Sequence, residues 1–154
     1  MFPPITELLT HRGNMLLIDR VIASGSDGIR VEAKVDGSAW YADADGAMPA
    51  WVGLELMAQT IAALVGLAAH EQGLPPRQGL LLGTRNYTAR TPVFARNATL
   101  VVAATEVFQE ANGLGAFDAR IEIAGTSMAG ETVAEATLKV FEPADFKTIL
   151  EQGT

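Results

Sequence analysis

The run from Trp51 to Ala69 constrains the fold most, because it is apolar nearly all the way round a helix. Its large side chains are those of Leu56, Met57, Ile61, Leu64, Val65 and Leu67. A helix with no wet face must be buried by other elements. Glu55 and Gln59 interrupt the run and strand-like segments flank it, so we favour a core helix over a membrane span.

The flanking residues define the ends of this predicted helix. Pro49 suits a first turn, because that position does not require an amide hydrogen. Gly73 and Pro75 are typical of a helix end. We therefore predict a helix from about Ala50 to Gln72.

Strand signals precede the helix. Ile5 to Thr10 fits a short helix, and Met15 to Ala23 is a branched apolar run that predicts a buried strand. After a turn at Ser24 to Gly28, charged and apolar residues alternate from Arg30 to Asp36. A period of two indicates a strand with one wet face and one dry face, and hence a first hairpin.

Four more strand candidates follow the helix. They span Gly79 to Ala89, Ala98 to Phe108, Leu114 to Ala124 and Thr132 to Phe141, with a turn at Asn112-Gly113 and a short final helix at Asp145 to Glu151. The absence of a second crossover helix from the pattern excludes a doubly wound sheet. The sequence therefore predicts an α+β fold in which one antiparallel sheet wraps a long central helix.

Length and composition limit the class of protein. The 154 residues fit a single domain, 1–154, and the absence of cysteine removes disulfides and thiolate chemistry. The first residues lack the pattern of a secretory signal, so we expect a cytoplasmic protein. A net charge of −7 argues against nucleic-acid binding.

One segment of this acidic chain is positive. Between Gln72 and Thr105 there is no Asp or Glu, and the arginines there are Arg77, Arg85, Arg90 and Arg96. Guanidinium groups suit phosphates and acidic partners. The alternative is a set of solvated strand arginines.

Glu55 is the first candidate catalytic residue, because it lies about two turns inside the predicted apolar helix. A bare charge there is expensive. The carboxylate could simply face a wet edge or pair with an arginine. Alternatively, desolvation favours its neutral form and makes it a proton donor, while the helix N-terminus favours the anion.

Three segments carry a family resemblance. Pro49 lies six residues before Glu55, which is followed by Leu56-Met57-Ala58-Gln59, and this string resembles the helix motif of bacterial 3-hydroxyacyl-carrier-protein dehydratases. His11 to Arg20 resembles the same family's first strand, and Leu81 to Arg85 resembles a strand of the subgroup tied to aryl polyene synthesis. The similarity covers about Pro4 to Arg90 and implies the hot-dog fold.

The resemblance also implies a reaction. In that family a (3R)-hydroxyacyl group on the phosphopantetheine arm of an acyl carrier protein loses water to give a trans-2-enoyl thioester, in fatty acid or polyene synthesis. Glu55 would assist departure of the hydroxyl, and the amides of Val52, Gly53 and Leu54 would polarise the thioester carbonyl. Trp51 and Gln59 are expected to contact substrate. No metal or resident cofactor is implied.

The chain departs from the family at the base. The family's histidine lies fourteen residues before the acid, where this chain has Tyr41, and tyrosine is a poor base near neutral pH. His11 is our first candidate, since imidazole titrates near working pH. Asp43 or Asp45 could replace it, or a paralogous partner could supply the histidine. The family's two catalytic groups come from different subunits, which implies a homodimer or heterodimer.

The remaining candidates have ordinary interpretations. Asp43 and Asp45 lack further ligands at metal spacing and predict a turn. His70 is expected near the C-terminal dipole of the helix. Trp40 and Trp51 could line an acyl tunnel or belong to the core.

Two other functions remain open. Hot-dog folds also host acyl thioesterases, and a catalytically silent subunit could dimerise with an active paralogue. If the chain is a dehydratase, Arg85, Arg90 and Arg96 are the expected docking residues for the acidic carrier protein.

Overall fold

The computed structural model describes residues 1–76, 79–125 and 130–141. Its strands are β1 (Arg20–Gly25), β2 (Gly28–Lys34), β3 (Met48–Pro49), β4 (Leu80–Ala89), β5 (Val93–Phe94), β6 (Thr99–Gln109), β7 (Leu114–Ile123) and β8 (Thr132–Phe141). One long helix, α1 (Gly53–Glu71), lies between β3 and β4. The predicted final helix and Arg77 lie outside the described residues.

Six strands form one antiparallel sheet in the order β1-β2-β6-β7-β8-β4. The helix packs against β2, β6, β7 and β8. The predicted turn at Asn112-Gly113 joins β6 to β7, with Gly113 at φ 96°. The predicted α+β hot-dog arrangement is therefore confirmed.

The core lies between α1 and the inner face of the sheet. Its fully buried side chains include Leu56 and Met57 from the helix and Phe117, Ile121 and Leu138 from the strands. Phe117 and Ile121 lie an even number of residues apart on β7 and so share the face of the sheet that the helix covers. By length and hydropathy, Ala50–Glu71 could cross a membrane, but 61% of its most apolar window is buried inside the protein.

The predicted strand from Met15 to Ala23 is wrong in its first half. The chain makes a 3-10 turn at Gly13–Met15, and β1 begins only at Arg20. The Met15 carbonyl and the Leu17 amide bond the side chain of Gln59 instead of a neighbouring strand. Helix packing therefore outweighs the β propensity of this segment.

The entry to α1 is tighter than predicted. Residues Ala50–Val52 form a 3-10 turn, and the Gly53 amide donates to the Ala50 carbonyl. The short strand β3 precedes this turn and pairs with β5, and the Ala50 amide donates to the Pro92 carbonyl at 2.9 Å. The tight turn brings the start of α1 closer to Glu55 than the sequence suggested.

Candidate active site

Glu55 is the third residue of α1 and lies in its first turn, not two turns inside the helix. Its side chain keeps 42% of its surface exposed. The position near the helix N-terminus favours a negative charge. The carboxyl group thus lies at the rim of the core, where a substrate can reach it.

The structure brings His11 to Glu55. The Nε2 atom of His11 lies 3.7 Å from Oε1 of Glu55, and the histidine side chain is 32% exposed. This distance is too long for a hydrogen bond but short enough for both groups to act on one small molecule. Among the described residues, Nδ1 of His11 is buried without a hydrogen-bond partner.

The segment that carries His11 is fixed from both sides. The Arg12 guanidinium donates to the carbonyls of Thr6, Leu9 and His11, at 2.7, 2.6 and 2.7 Å. On the helix side, a Cβ atom at Gly66 would overlap the backbone carbonyl of Leu8, so only glycine permits this close approach.

Gln59 lies one turn after Glu55 and is completely buried. Its Nε2 donates to Glu55 Oε1 at 3.0 Å and to the Met15 carbonyl at 2.7 Å, while its Oε1 accepts from the Leu17 amide at 2.9 Å. Both amide hydrogens are used inside the chain. The side chain is therefore not presented to a substrate, contrary to the expected contact.

The amides at the helix start differ from one another. Val52 and Gly53 are buried, and the Gly53 amide is already bonded to Ala50, which removes it from the expected carbonyl-binding set. Leu54 is half-buried. The Tyr87 hydroxyl donates to the Ala50 carbonyl beneath this turn, and burial raises the pKa of Tyr87.

Tyr41 lies fourteen residues before Glu55, where the resemblance leads one to expect the base, but its environment is structural. The ring is buried, and the hydroxyl oxygen accepts the Asp36 amide at 2.9 Å. Burial raises the pKa of Tyr41, against the opposing effect of this hydrogen bond. A neutral, bonded phenol cannot serve as a base near neutral pH.

The neighbouring aspartates form a turn. Asp43 Oδ1 accepts the amides of Asp45 and Ala47, at 2.9 and 3.0 Å. The described part of the chain contains no group of three or more acidic, histidine or cysteine residues suited to a metal ion. The turn interpretation of Asp43 and Asp45 accounts for this geometry.

Two exposed tryptophans adjoin the site. Trp51 precedes Glu55 by about one turn and is 65% exposed, while Trp40 is 52% exposed. Their ring centroids lie 6.3 Å apart, and the Trp40 indole donates to the Asn14 carbonyl at 2.9 Å. The exposure excludes the core interpretation that sequence alone left open for both residues.

The remaining predicted residues lie elsewhere. His70 Nε2 lies 3.1 Å from Glu7 Oε2, so it contacts a carboxylate in addition to its place in the last helical turn. Arg85 and Arg90 are exposed. Arg96 is also exposed, but its side chain packs over two glycines, where Cβ atoms at Gly37 and Gly46 would approach it to 2.5 and 2.7 Å.

The family model that matches this chain is "ApeP-like: ApeP dehydratase", over residues 3–151. The chain belongs to the ApeP-like family of dehydratases. The match confirms the predicted resemblance to the dehydratase subgroup of aryl polyene synthesis, and with it the assignment to the hydro-lyases. No curated protein sequence matches the chain.

Solved structures similar to this ApeP-like chain share its fold. One is a chain of the dehydratase heterocomplex ApeI:P from Xenorhabdus doucetiae, at 23% identity, 100% coverage of both chains and a TM-score of 0.86. A hypothetical thioesterase with coenzyme A from Streptococcus pneumoniae TIGR4 is 18% identical, with a TM-score of 0.59. The match covers 80% of this chain and 84% of that chain. Cj0977 of Campylobacter jejuni is 15% identical, with a TM-score of 0.60. The match covers 94% of this chain and 90% of that chain. At these identities the structural likeness itself shows the hot-dog fold alone.

Sequence reasoning missed the link between Gln59 and the loop before β1. The contact between Gln59 and Glu55 could have been predicted, because residues four apart share a helix face and these two have that spacing. The hydrogen bonds of Gln59 to Met15 and Leu17 could not, because they join residues far apart in sequence.

Proposed function

We propose that this ApeP-like chain dehydrates 3-hydroxyacyl thioesters carried on the phosphopantetheine arm of an acyl carrier protein, in the cytoplasm and without a metal or resident cofactor. In this reaction His11 takes the proton from the α-carbon, and Glu55 gives a proton to the leaving hydroxyl. The electron pair of the broken C–H bond forms the double bond, and water departs. The product is the trans-2-enoyl thioester.

One observation carries the assignment of roles, namely the 3.7 Å separation of His11 Nε2 and Glu55 Oε1. Both side chains are partly exposed, so a substrate has access to both. General acid and base groups must lie within reach of the same substrate atoms, and this pair meets that condition within one chain. Tyr41, in contrast, has its oxygen committed to Asp36.

A second source of the base is a paralogous hot-dog partner. The buried Nδ1 of His11 has no hydrogen-bond partner among the described residues, so none of them orients the His11 ring through that atom. The similarity to a chain of the ApeI:P heterocomplex supports a heterodimer as the assembly. A homodimer would have to rely on His11.

The edge strand β4 is the surface we propose for the partner. Among the described strands β4 pairs only with β8, so its other edge offers ten residues of backbone for strand addition. Leu81 and Leu82 on this strand are exposed to 43% and 57%. Apolar side chains beside an open edge favour a protein partner.

Arg85 and Arg90 are the proposed contacts of the carrier protein, because both are exposed on or just after β4. Arg96 is a weaker candidate, since its side chain lies over Gly37 and Gly46. Charge reversal at Arg85 or Arg90 should reduce turnover of carrier-bound substrate more than turnover of a pantetheine mimic. Equal losses on both substrates would contradict the docking role.

The deciding experiment incubates the purified chain with 3-hydroxyacyl carrier protein, alone and with a paralogous hot-dog protein from the same gene neighbourhood. Formation of enoyl product by the chain alone supports His11 as the base. Product only in the presence of the partner transfers the base to that partner. Free acid would indicate a thioesterase, and the absence of product under both conditions would indicate a silent subunit.

A further inference from the structure

The start of the helix that carries Glu55 has no side-chain cap among the described residues. Pro49 and Val52 occupy the cap positions of the 3-10 turn and of α1, and neither side chain can accept a hydrogen bond. Serine, threonine, aspartate or asparagine normally bonds one of the first amides at such a place. Some other contact must therefore hold the turn that leads to Glu55.

Ala50 supplies that contact through both of its backbone groups. Its amide donates to the Pro92 carbonyl at 2.9 Å, and its carbonyl accepts the hydroxyl hydrogen of Tyr87. The same carbonyl accepts the Gly53 amide, which closes the 3-10 turn. Ala50 is buried, so water competes poorly for these bonds. The turn is thus anchored to the sheet at a single residue.

A bulge in β4 presents Tyr87 to this turn. Between Arg85 and Thr88, β4 gains one residue on its neighbour β8. Asn86 in the bulge has a φ of 55°, a left-handed conformation that asparagine adopts more readily than most residues. Arg85 and Asn86 are exposed, whereas Tyr87 is half-buried. Since bulges redirect side chains, this one turns the Tyr87 hydroxyl toward Ala50.

The Tyr87 hydroxyl is closely surrounded and remains a donor. A Cβ atom at Gly53 would lie 2.5 Å from its oxygen and 3.0 Å from Cδ1 of Ile121. Burial raises the pKa of Tyr87, so the phenol keeps its hydrogen near neutral pH. Unlike a side-chain cap, this hydroxyl bonds a carbonyl and occupies none of the first amides of the helix.

We propose that Tyr87 is a positioning residue that holds the turn Ala50–Val52 against the sheet in place of a side-chain cap, and so fixes the position of Glu55. This inference rests on the proposed role of Glu55 as the acid. It assigns Tyr87 no contact with substrate. Loss of the hydroxyl should therefore lower kcat rather than raise KM.

The first test compares Tyr87→Phe with Tyr41→Phe, in the active form of the protein, with its partner where activity requires one. Each change removes one hydroxyl that bonds a backbone group near the start of α1, that of Ala50 or of Asp36. We expect kcat of Tyr87→Phe to fall about tenfold or more, with KM within about twofold, because small displacements of reacting groups lower the rate steeply. Tyr41→Phe should keep kcat within about twofold.

A second pair of variants moves Tyr87 without removing its hydroxyl. Glycine at residue 86 can adopt the left-handed backbone of the bulge, whereas valine cannot do so without strain. Asn86 is exposed, so neither change alters the core. We expect Asn86→Val to lower kcat about as far as Tyr87→Phe, and Asn86→Gly to stay within about twofold of the wild type. A pantetheine-linked substrate keeps carrier docking at Arg85 out of this comparison.

An NMR measurement reports the anchored carbonyl directly. A hydrogen bond polarises the carbonyl that accepts it, so the carbonyl carbon shift of Ala50 should change in Tyr87→Phe and much less in Tyr41→Phe. Equal shifts in the two variants would overturn the inference. So would a kcat of Tyr87→Phe within twofold of the wild type, an equally impaired Tyr41→Phe, or equal kcat values for Asn86→Gly and Asn86→Val.

Failure of the inference is separable from failure of the proposed function. If Glu55→Gln is inactive while Tyr87→Phe is fully active, Glu55 remains the acid and only the positioning role of Tyr87 is rejected. If Glu55→Gln is fully active, the proposed acid itself is wrong. Tyr87 then loses its catalytic significance as well.

Discussion

Two loops approach the start of α1 and use their polar groups in opposite ways. In residues 36–47, which we call the entry loop, Tyr41 accepts the Asp36 amide and Asp43 accepts two amides of its own turn. In residues 11–17, which we call the N-terminal loop, His11 has a buried Nδ1 without a described partner and an Nε2 facing Glu55. Polar groups that are already bonded build structure, whereas unbonded groups beside a carboxyl group are available for chemistry.

The two loops also contact each other, because the Trp40 indole of the entry loop donates to the Asn14 carbonyl of the N-terminal loop at 2.9 Å. This hydrogen bond helps to hold the N-terminal loop in place. The difference teaches that Tyr41, where the resemblance leads one to expect the base, is a structural residue in this chain, and that the imidazole beside Glu55 comes from another part of the sequence. Five substitutions test that division.

Glu55→Gln should have the largest effect, because it removes the proposed proton donor that both loops surround. We expect kcat to fall about 10²- to 10⁴-fold, the usual contribution of a general acid. Amide and carboxyl groups are nearly equal in size, so the melting temperature should change little. Enoyl product is measured by its absorbance or by mass spectrometry, and unchanged turnover would refute the dehydratase mechanism proposed for this site.

His11→Asn should reduce kcat nearly as far, about 10²-fold or more, if the N-terminal loop supplies the base. The pH dependence of the residual rate should also change, because an asparagine side chain does not titrate, and a pH–rate profile measures this change. Full activity of His11→Asn together with dependence on a paralogous partner would instead make His11 a structural residue.

Gly66→Ala should disturb the N-terminal loop through its anchor. The new Cβ would meet the backbone carbonyl of Leu8, which cannot rotate away. We expect a loss of about 1–3 kcal/mol in the free energy of unfolding, measured by denaturant titration. Gly83→Ala is the matched control, because nothing lies within 4 Å of its added Cβ, and it should change stability by no more than about 0.5 kcal/mol.

Tyr41→Phe should separate stability from activity in the entry loop. The Asp36 amide loses its acceptor, which should cost about 1–3 kcal/mol of unfolding free energy if water does not replace it, while kcat stays within about twofold. A large decrease in kcat with an unchanged free energy of unfolding would instead make Tyr41 a catalytic residue.

The same substitution changes stability at high pH. Burial raises the pKa of Tyr41 in the folded protein, so the wild type should lose stability as pH rises above about 10, where the unfolded phenol ionises more readily. That loss should be smaller in Tyr41→Phe. It should not vanish, because burial also raises the pKa of Tyr87.

Asp43→Asn should have the smallest effect. The amide oxygen of asparagine can accept the Asp45 and Ala47 amides as the carboxylate does, so the turn should survive with a change of about 0.5 kcal/mol or less. Turnover should be unchanged in the same assay. Loss of turnover with an intact fold would move the base from His11 to Asp43.

The sequence by itself determined the fold class and the family. The long helix has no polar face, and the segments on both sides of it alternate polar and apolar residues as strands do. Few arrangements satisfy both patterns other than a sheet wrapped around that helix. The motif from Pro49 to Gln59 likewise predicted the family that the match over residues 3–151 confirmed. These conclusions needed only local pattern, since periodicity and short motifs are properties of neighbouring residues.

Tertiary structure alone decided how the site is assembled. The approach of His11 to Glu55 depends on Gly66 admitting Leu8 and on Gln59 bonding Met15 and Leu17, all of them contacts between distant parts of the chain. The same bonds replaced the predicted strand at Met15, because satisfying a buried amide outweighs the weak β preference of an isolated segment. No local pattern encodes such contacts, since each depends on where the packed helix places its partner.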